Sequence, residues 1–130
     1  MYSKITDHIK VSVFPAYLED ESCPEDNEYI WSYTVQVENM RSDKVQLVSR
    51  YWNITDANGR IQEVEGQGVV GEHPELEPGQ AFQYTSGTVL KAPSGIMVGN
   101  YEMESESGKR FNIDIPAFSL DSPYEMVQLN

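Results

Sequence analysis

Three glycines in G-x-G-x-x-G spacing, Gly66, Gly68 and Gly71, are the residues whose pattern most suggests chemistry. In dinucleotide folds such a triplet lies between a strand and a helix, and the helix N-terminus holds a pyrophosphate. This sequence lacks the helix. After Gly71 it reads Glu-His-Pro-Glu-Leu-Glu-Pro-Gly, so a helix opened at Pro74 is closed at Pro78-Gly79 after barely a turn. No Lys-Ser or Lys-Thr follows to make a P-loop. Glu63, Glu65 and Glu72 surround the glycines with charge that opposes phosphate. Two readings remain. One is a nest of backbone N–H groups that takes a nucleotide or pyrophosphate, with Gly66, Gly68 and Gly71 as the ligand-binding residues. The other is a glycine crossover between sheets, where φ > 0 or close backbone approach excludes a side chain.

Other reactive residues are sparse. His8 and His73 are the only histidines and Cys23 the only cysteine. None has a second nitrogen or sulfur ligand at short spacing, so no metal site is expected. The acidic run Glu19–Glu28 lacks the order of an EF-hand loop. Carboxylates beside Cys23 raise a thiol pKa and suppress its reactivity. There is no G-x-S-x-G elbow. Glu102 and Glu104 share a strand face, but acids are abundant here and the pairing is what chance gives. Arg50-Tyr51-Trp52 is the only place where a cation meets aromatics, and its mid-strand position reads as packing rather than nucleic-acid contact. No catalytic residue and no cofactor are expected.

Charge narrows the partners. Nine Lys and Arg face 21 Asp and Glu, a formal net of −12. Such a surface repels nucleic acid and anionic membranes and is compatible with cations or basic proteins. Apolar residues make up 39 %, and no run approaches the ~18 that a spanning helix needs. The opening MYSKITDHIK has no apolar core of a signal peptide, and one cysteine allows no internal disulfide. A cytoplasmic protein is the expectation.

The elements that must position these residues are strands. Residues 5–14 alternate, with Ile5, Ile9, Val11 and Val13 on one face. Pro15 should end that strand or force a bulge. Residues 29–38 alternate most strongly, with Tyr29, Trp31, Tyr33, Val35 and Val37 inward. The strand from Val45 to Thr55 slips phase near Val48–Arg50, which predicts a bulge or burial on both faces. Asn58-Gly59 predicts a hairpin with both central residues at φ > 0. Strands follow at 60–65, 80–89, 96–106 and 110–118, the last with Phe111, Ile113, Ile115 and Ala117 inward. About seven strands and no amphipathic helix predict an all-β sandwich over 1–130, one domain, with 119–130 as an extended tail. One cysteine excludes the immunoglobulin disulfide, so the expected variety is fibronectin type III-like. Tyr101 is placed as in a tyrosine corner, its hydroxyl expected to bond backbone near Ala92–Ser94. Sheet edges offer a route to a homodimer by strand pairing.

Several segments together resemble the ApaG family. They are Ser49-Arg-Tyr-Trp-Asn-Ile-Thr-Asp56 with Asn58-Gly59, Gly66 to Pro74 with Leu76 and Pro78-Gly79, and Phe82 with Tyr84-Thr-Ser-Gly87. Pro93-Ser-Gly95 with Gly99-Asn-Tyr101, and Ile115-Pro-Ala-Phe-Ser-Leu120, complete the set. The resemblance spans nearly the whole chain. His73 departs from the glutamine that family members often carry. The resemblance implies a fibronectin type III-like sandwich and an association with cobalt resistance and magnesium efflux. It also implies protein interaction, as for the similar domain of eukaryotic F-box proteins. The family's glycine triplet has been discussed as a pyrophosphate loop. The expected function is a non-enzymatic binding or regulatory module that acts through a protein partner. The alternative is a small-ligand binder using Gly66–Gly71.

Overall fold

A computed structural model describes residues 1–124. Nine strands lie among the described residues. They are β1 (Tyr2–Thr6), β2 (Ile9–Tyr17), β3 (Tyr29–Asn39), β4 (Val45–Asp56), β5 (Ile61–Gln67), β6 (Glu75–Leu76), β7 (Ala81–Leu90), β8 (Ser94–Ser105) and β9 (Arg110–Asp121). β3, β7 and most of β8 alternate in burial, as period-two sequences on a half-buried sheet must. A short 3₁₀ turn, Pro24–Asp26, interrupts the strands between β2 and β3. No helix among the described residues is long and apolar enough to cross a membrane. The strands form two antiparallel sheets, β1-β2-β3-β7 and β5-β4-β8-β9, with β6 paired to β4. This is the expected fibronectin type III-like sandwich.

The core lies between the sheets. β3 buries Tyr29, Trp31, Tyr33, Val35 and Val37, the face its sequence predicts. At mid-core Trp52 packs its ring 5.3 Å from Tyr33 and 5.9 Å from Phe118, edge-on to both. Edge-to-face contact brings the positive rim of one ring onto the negative face of the next.

The first strand is not one strand. Asp7 and His8 take φ of 49° and 63° and turn the chain back, so 2–17 is a hairpin. Ile5 is consequently 56 % exposed rather than in the core. Pro15 neither ends β2 nor bulges it. β1 stops at the Tyr2–Val13 pair, so Pro15 lies where β2 has no neighbour on that side, and its missing N–H breaks no bond. The β4 bulge falls between Leu47 and Ser49, as the phase slip predicts. The hairpin at Asn58-Gly59 forms, but only Gly59 has φ > 0. The Asp56 carboxylate instead accepts the N–H groups of Asn58 and Arg60 and closes the turn. β9 gains one residue between Ile115 and Phe118, beside Pro116, so Phe118 turns inward and Ala117 faces solvent. β9 runs to Asp121, three residues into the stretch expected as tail. The apolar spot Met126-Val127 lies outside the described residues.

The two long sides of the sandwich differ. On one side β1 is laced to β9. The Tyr2 and Ser119 hydroxyls are 3.1 Å apart, Lys4 pairs with Asp114 at 2.9 Å, and the Asp114 N–H donates to the Thr6 hydroxyl. On the other side β5 and β7 are both edge strands, and the sheets part between them.

Candidate functional site

The glycine triplet is a backbone device. Gly66 lies on β5 opposite Arg50 of β4. A Cβ at Gly66 would come within 2.8 Å of the Arg50 guanidinium, so the bare backbone there makes room for that side chain. Gly68 (φ 65°) donates its N–H to the Val48 carbonyl at the β4 bulge, and a Cβ on it would overlap the Glu72 carbonyl oxygen. Val69 and Glu72 exchange two backbone hydrogen bonds at 2.8 Å. The two residues between them, Val70 and Gly71, both have φ > 0 (42° and 80°), the pattern of a type I′ turn. The N–H groups of Gly68, Val69 and Glu72 are therefore already committed inside the fold.

The same geometry builds a second feature. After the β4 bulge, Arg50 has the parity of Trp52 and Ile54, which face the core. Its guanidinium crosses bare Gly66 and donates Nη1–H to the carbonyls of Gly68 (2.8 Å) and Gln67 (3.3 Å). Nε and Nη2 have no acceptor, and Arg50 no carboxylate partner, among the described residues. A fixed planar cation with free donors suits a carboxylate or phosphate.

Three tyrosines from both sheets stand near Arg50. The Tyr84 and Tyr101 hydroxyls share a short, buried hydrogen bond across the core. This corrects the corner expected at Tyr101: its hydroxyl meets Tyr84, not backbone near Ala92–Ser94. Tyr101 sits mid-strand opposite Arg50 and Ile113 and points at the other sheet. The carbonyls of Pro93 and Ser94 accept N–H groups from Ser122 and Ala57 instead. Burial raises the pKa of Tyr33, Tyr84 and Tyr101, and the Arg50 charge pulls the other way in each. The phenols stay neutral at physiological pH and leave the guanidinium uncompensated.

Arg50 and Tyr33 lie in a groove of about 520 Å³ between the β5 and β7 edges. Trp52, Ile54, Val64 and Val89 give it apolar walls; Gln62, Ser86 and Thr88 add neutral polar groups. Among the described residues no acidic side chain lines it. Each of the four smaller openings described carries at least one carboxylate: Glu65 and Glu102, Asp56, Glu75 with Glu104 and Glu106, or Asp56 and Asp121. In a chain of net charge −12, an acid-free groove with a free cation is the place suited to an anion.

The remaining candidates do not converge. No group of three or more His, Cys, Asp and Glu is placed to hold a metal among the described residues. His8 lies in the β1–β2 turn, and His73 follows the glycine loop. The Cys23 thiol donates to Asp26 at 3.3 Å, and that hydrogen bond, with the acids Asp26 and Glu25, holds its pKa up. From sequence alone Arg50 reads as packing and the groove does not show. Its one local signal was a cation on the inward side of a strand just past a phase slip.

A family model described as the ApaG domain matches residues 19–105. The chain is 60 % identical over 130 residues to Protein ApaG of Paramagnetospirillum magneticum, covering all of both chains. Identity to Protein ApaG of Parvibaculum lavamentivorans is 58 % over 95 % of each. A crystal structure of a Bordetella pertussis protein designated ApaA superposes with a TM-score of 0.86 at 44 % identity, over 88 % of this chain and 94 % of that one. The C-terminal domain of Wzt superposes at 0.57 with 11 % identity, over 93 % of this chain and 77 % of that one, a likeness of fold alone.

Proposed function

The chain belongs to the ApaG domain family, and from that premise we propose a non-enzymatic cytoplasmic module that works by binding a protein partner in divalent-cation homeostasis. The observation that carries the reading is the groove between β5 and β7. It is the largest opening described, its walls are mostly apolar, and it holds a cation with free donors. Binding sites commonly combine an apolar lining with a few placed polar groups. No nucleophile–base pair lines it. The tie to cobalt resistance and magnesium efflux rests on the family resemblance. An effect on cations would be exerted through the partner, since the described residues offer no clustered ligand set.

The alternative, a nucleotide or pyrophosphate at Gly66, Gly68 and Gly71, has spacing in its favour. The committed N–H groups of Gly68, Val69 and Glu72 count against it. Amide NMR during titration with pyrophosphate and ATP, with and without Mg²⁺, is expected to leave Gly66–Gly71 unshifted.

The test of the main reading is a photo-crosslinker carried in cells at Gln62, on the groove rim, with Lys109 at the β8–β9 turn as control. A discrete protein adduct from Gln62 and none from Lys109 is expected. Equal labelling at both positions, or none at Gln62, would overturn the reading.

A further inference from the structure

We propose that the groove takes its partner by strand addition: an extended segment pairs with the free edge of β7 and sends one carboxylate side chain to Arg50. The inference rests on the binding-module reading and specifies how that module engages.

The edge itself is the first observation. β7 ends its sheet, with no strand beyond it among the described residues. The Asn39 N–H donates to the Gln80 carbonyl. Antiparallel bonding alternates along a strand, so Ala81, Gln83, Thr85, Gly87 and Val89 turn their N–H and C=O groups to the open side. Edge strands are ordinarily guarded by charge or proline. β1 carries Lys4; β5 carries Glu63 and Glu65; β9 carries Arg110, Asp114, Pro116 and Asp121. The ten residues of β7, AFQYTSGTVL, contain no charge and no proline. Among the described residues it is the one unguarded edge of the four that end the two sheets.

The second observation is what an added strand would meet. Its side chains alternate, and every other one enters the gap between the sheets. Near Ser86 the inward side chain faces Arg50, whose Nε and Nη2 are free. One step of two residues toward Val89 it faces Ile54. The segment therefore carries Asp or Glu and, two residues away, a β-branched or aromatic residue. Because the chain's net charge is −12, a segment otherwise neutral or basic is favoured, and a second copy of this chain is repelled. Recognition of this kind takes affinity from backbone bonds and specificity from alternate side chains.

The test is selection of random twelve-residue peptides displayed on phage against the whole chain, followed by NMR titration with the synthetic winner. The expected peptides carry an acid two residues from an apolar side chain and shift the amides of Gly87 and Val89 and the Arg50 Nε–H. Replacing the peptide's Glu or Asp by its amide should weaken binding tenfold or more. Arg50→Gln should weaken the acid peptide and leave the amide peptide unchanged. Val89→Pro removes an outward N–H without touching the β3 ladder and should abolish binding of both. Failure to select any peptide, winners without an acid, or shifts away from β7 would overturn strand addition. So would a dimer by light scattering at low salt that Val89→Pro dissolves. An adduct from Gln62 in cells alongside any of these outcomes leaves the binding-module reading standing while removing this mode of engagement.

Discussion

Arg50 is where the residue-level account concentrates. Its seat is Gly66, and its brace is the carbonyl of Gly68. Gly66→Ala places a methyl against the far end of a flexible side chain, which can move. The expected loss of stability is therefore small, under about 1 kcal/mol, while the partner adduct from Gln62 falls sharply; chemical denaturation and crosslinking separate the two effects. The tyrosines give a pH prediction. Tyr33, Tyr84 and Tyr101 have folded pKa values raised by burial above the ordinary 10. Above pH 10 the unfolded chain loses phenolic protons that the fold retains, so ν_U falls below ν_N and stability drops as pH rises. Their contribution is complete below about pH 10 and is lost through the alkaline range above it. Tyr101→Phe should flatten that alkaline slope. At neutral pH it should also cost about 1–3 kcal/mol, the penalty of a buried hydroxyl on Tyr84 left without its partner.

At the scale of elements, two turns decide local geometry by different means. Asp56 closes the β4–β5 hairpin through two backbone bonds, and Asp56→Ala should destabilise by about 1–2 kcal/mol in thermal or urea unfolding. The Val69–Glu72 turn instead holds Val70, a β-branched residue, at φ 42° and 55 % exposed. Such a residue rarely adopts that conformation, and asparagine does so far more easily. Val70→Asn should stabilise by about 1 kcal/mol and raise the melting temperature. These elements also show what the sequence carries. β3 is legible throughout because aromatic and β-branched residues alternate without a break. The β4 bulge is legible as a slip of phase. The β1–β2 turn is not, because Asp7 and His8 take positive φ without a glycine and happen to keep the alternation in step. The extra residue of β9 is hidden for a related reason: Ile115, Pro116, Ala117 and Phe118 offer an apolar side chain to either face. The groove is legible least of all. Its walls come from β3, β4, β5 and β7, and only the sheet order sets the β5 and β7 edges on the same side.

For the whole molecule, the asymmetry between its two long sides matters most. β1 and β9 are joined by hydrogen bonds and an ion pair, whereas β5 and β7 leave a gap free of acids in a strongly acidic protein. In a strain lacking this chain, growth under cobalt stress should be restored by the wild type and by Val70→Asn, and not by Arg50→Gln or Val89→Pro. Rescue by all four would detach the groove from the proposed role in cation homeostasis. The most direct measurement of the central claim is the Gln62 photo-adduct in cells, compared between the wild type and a folded Arg50→Gln variant. The account predicts a single partner band that falls at least tenfold when the guanidinium is removed. A band of equal yield in both proteins would contradict it.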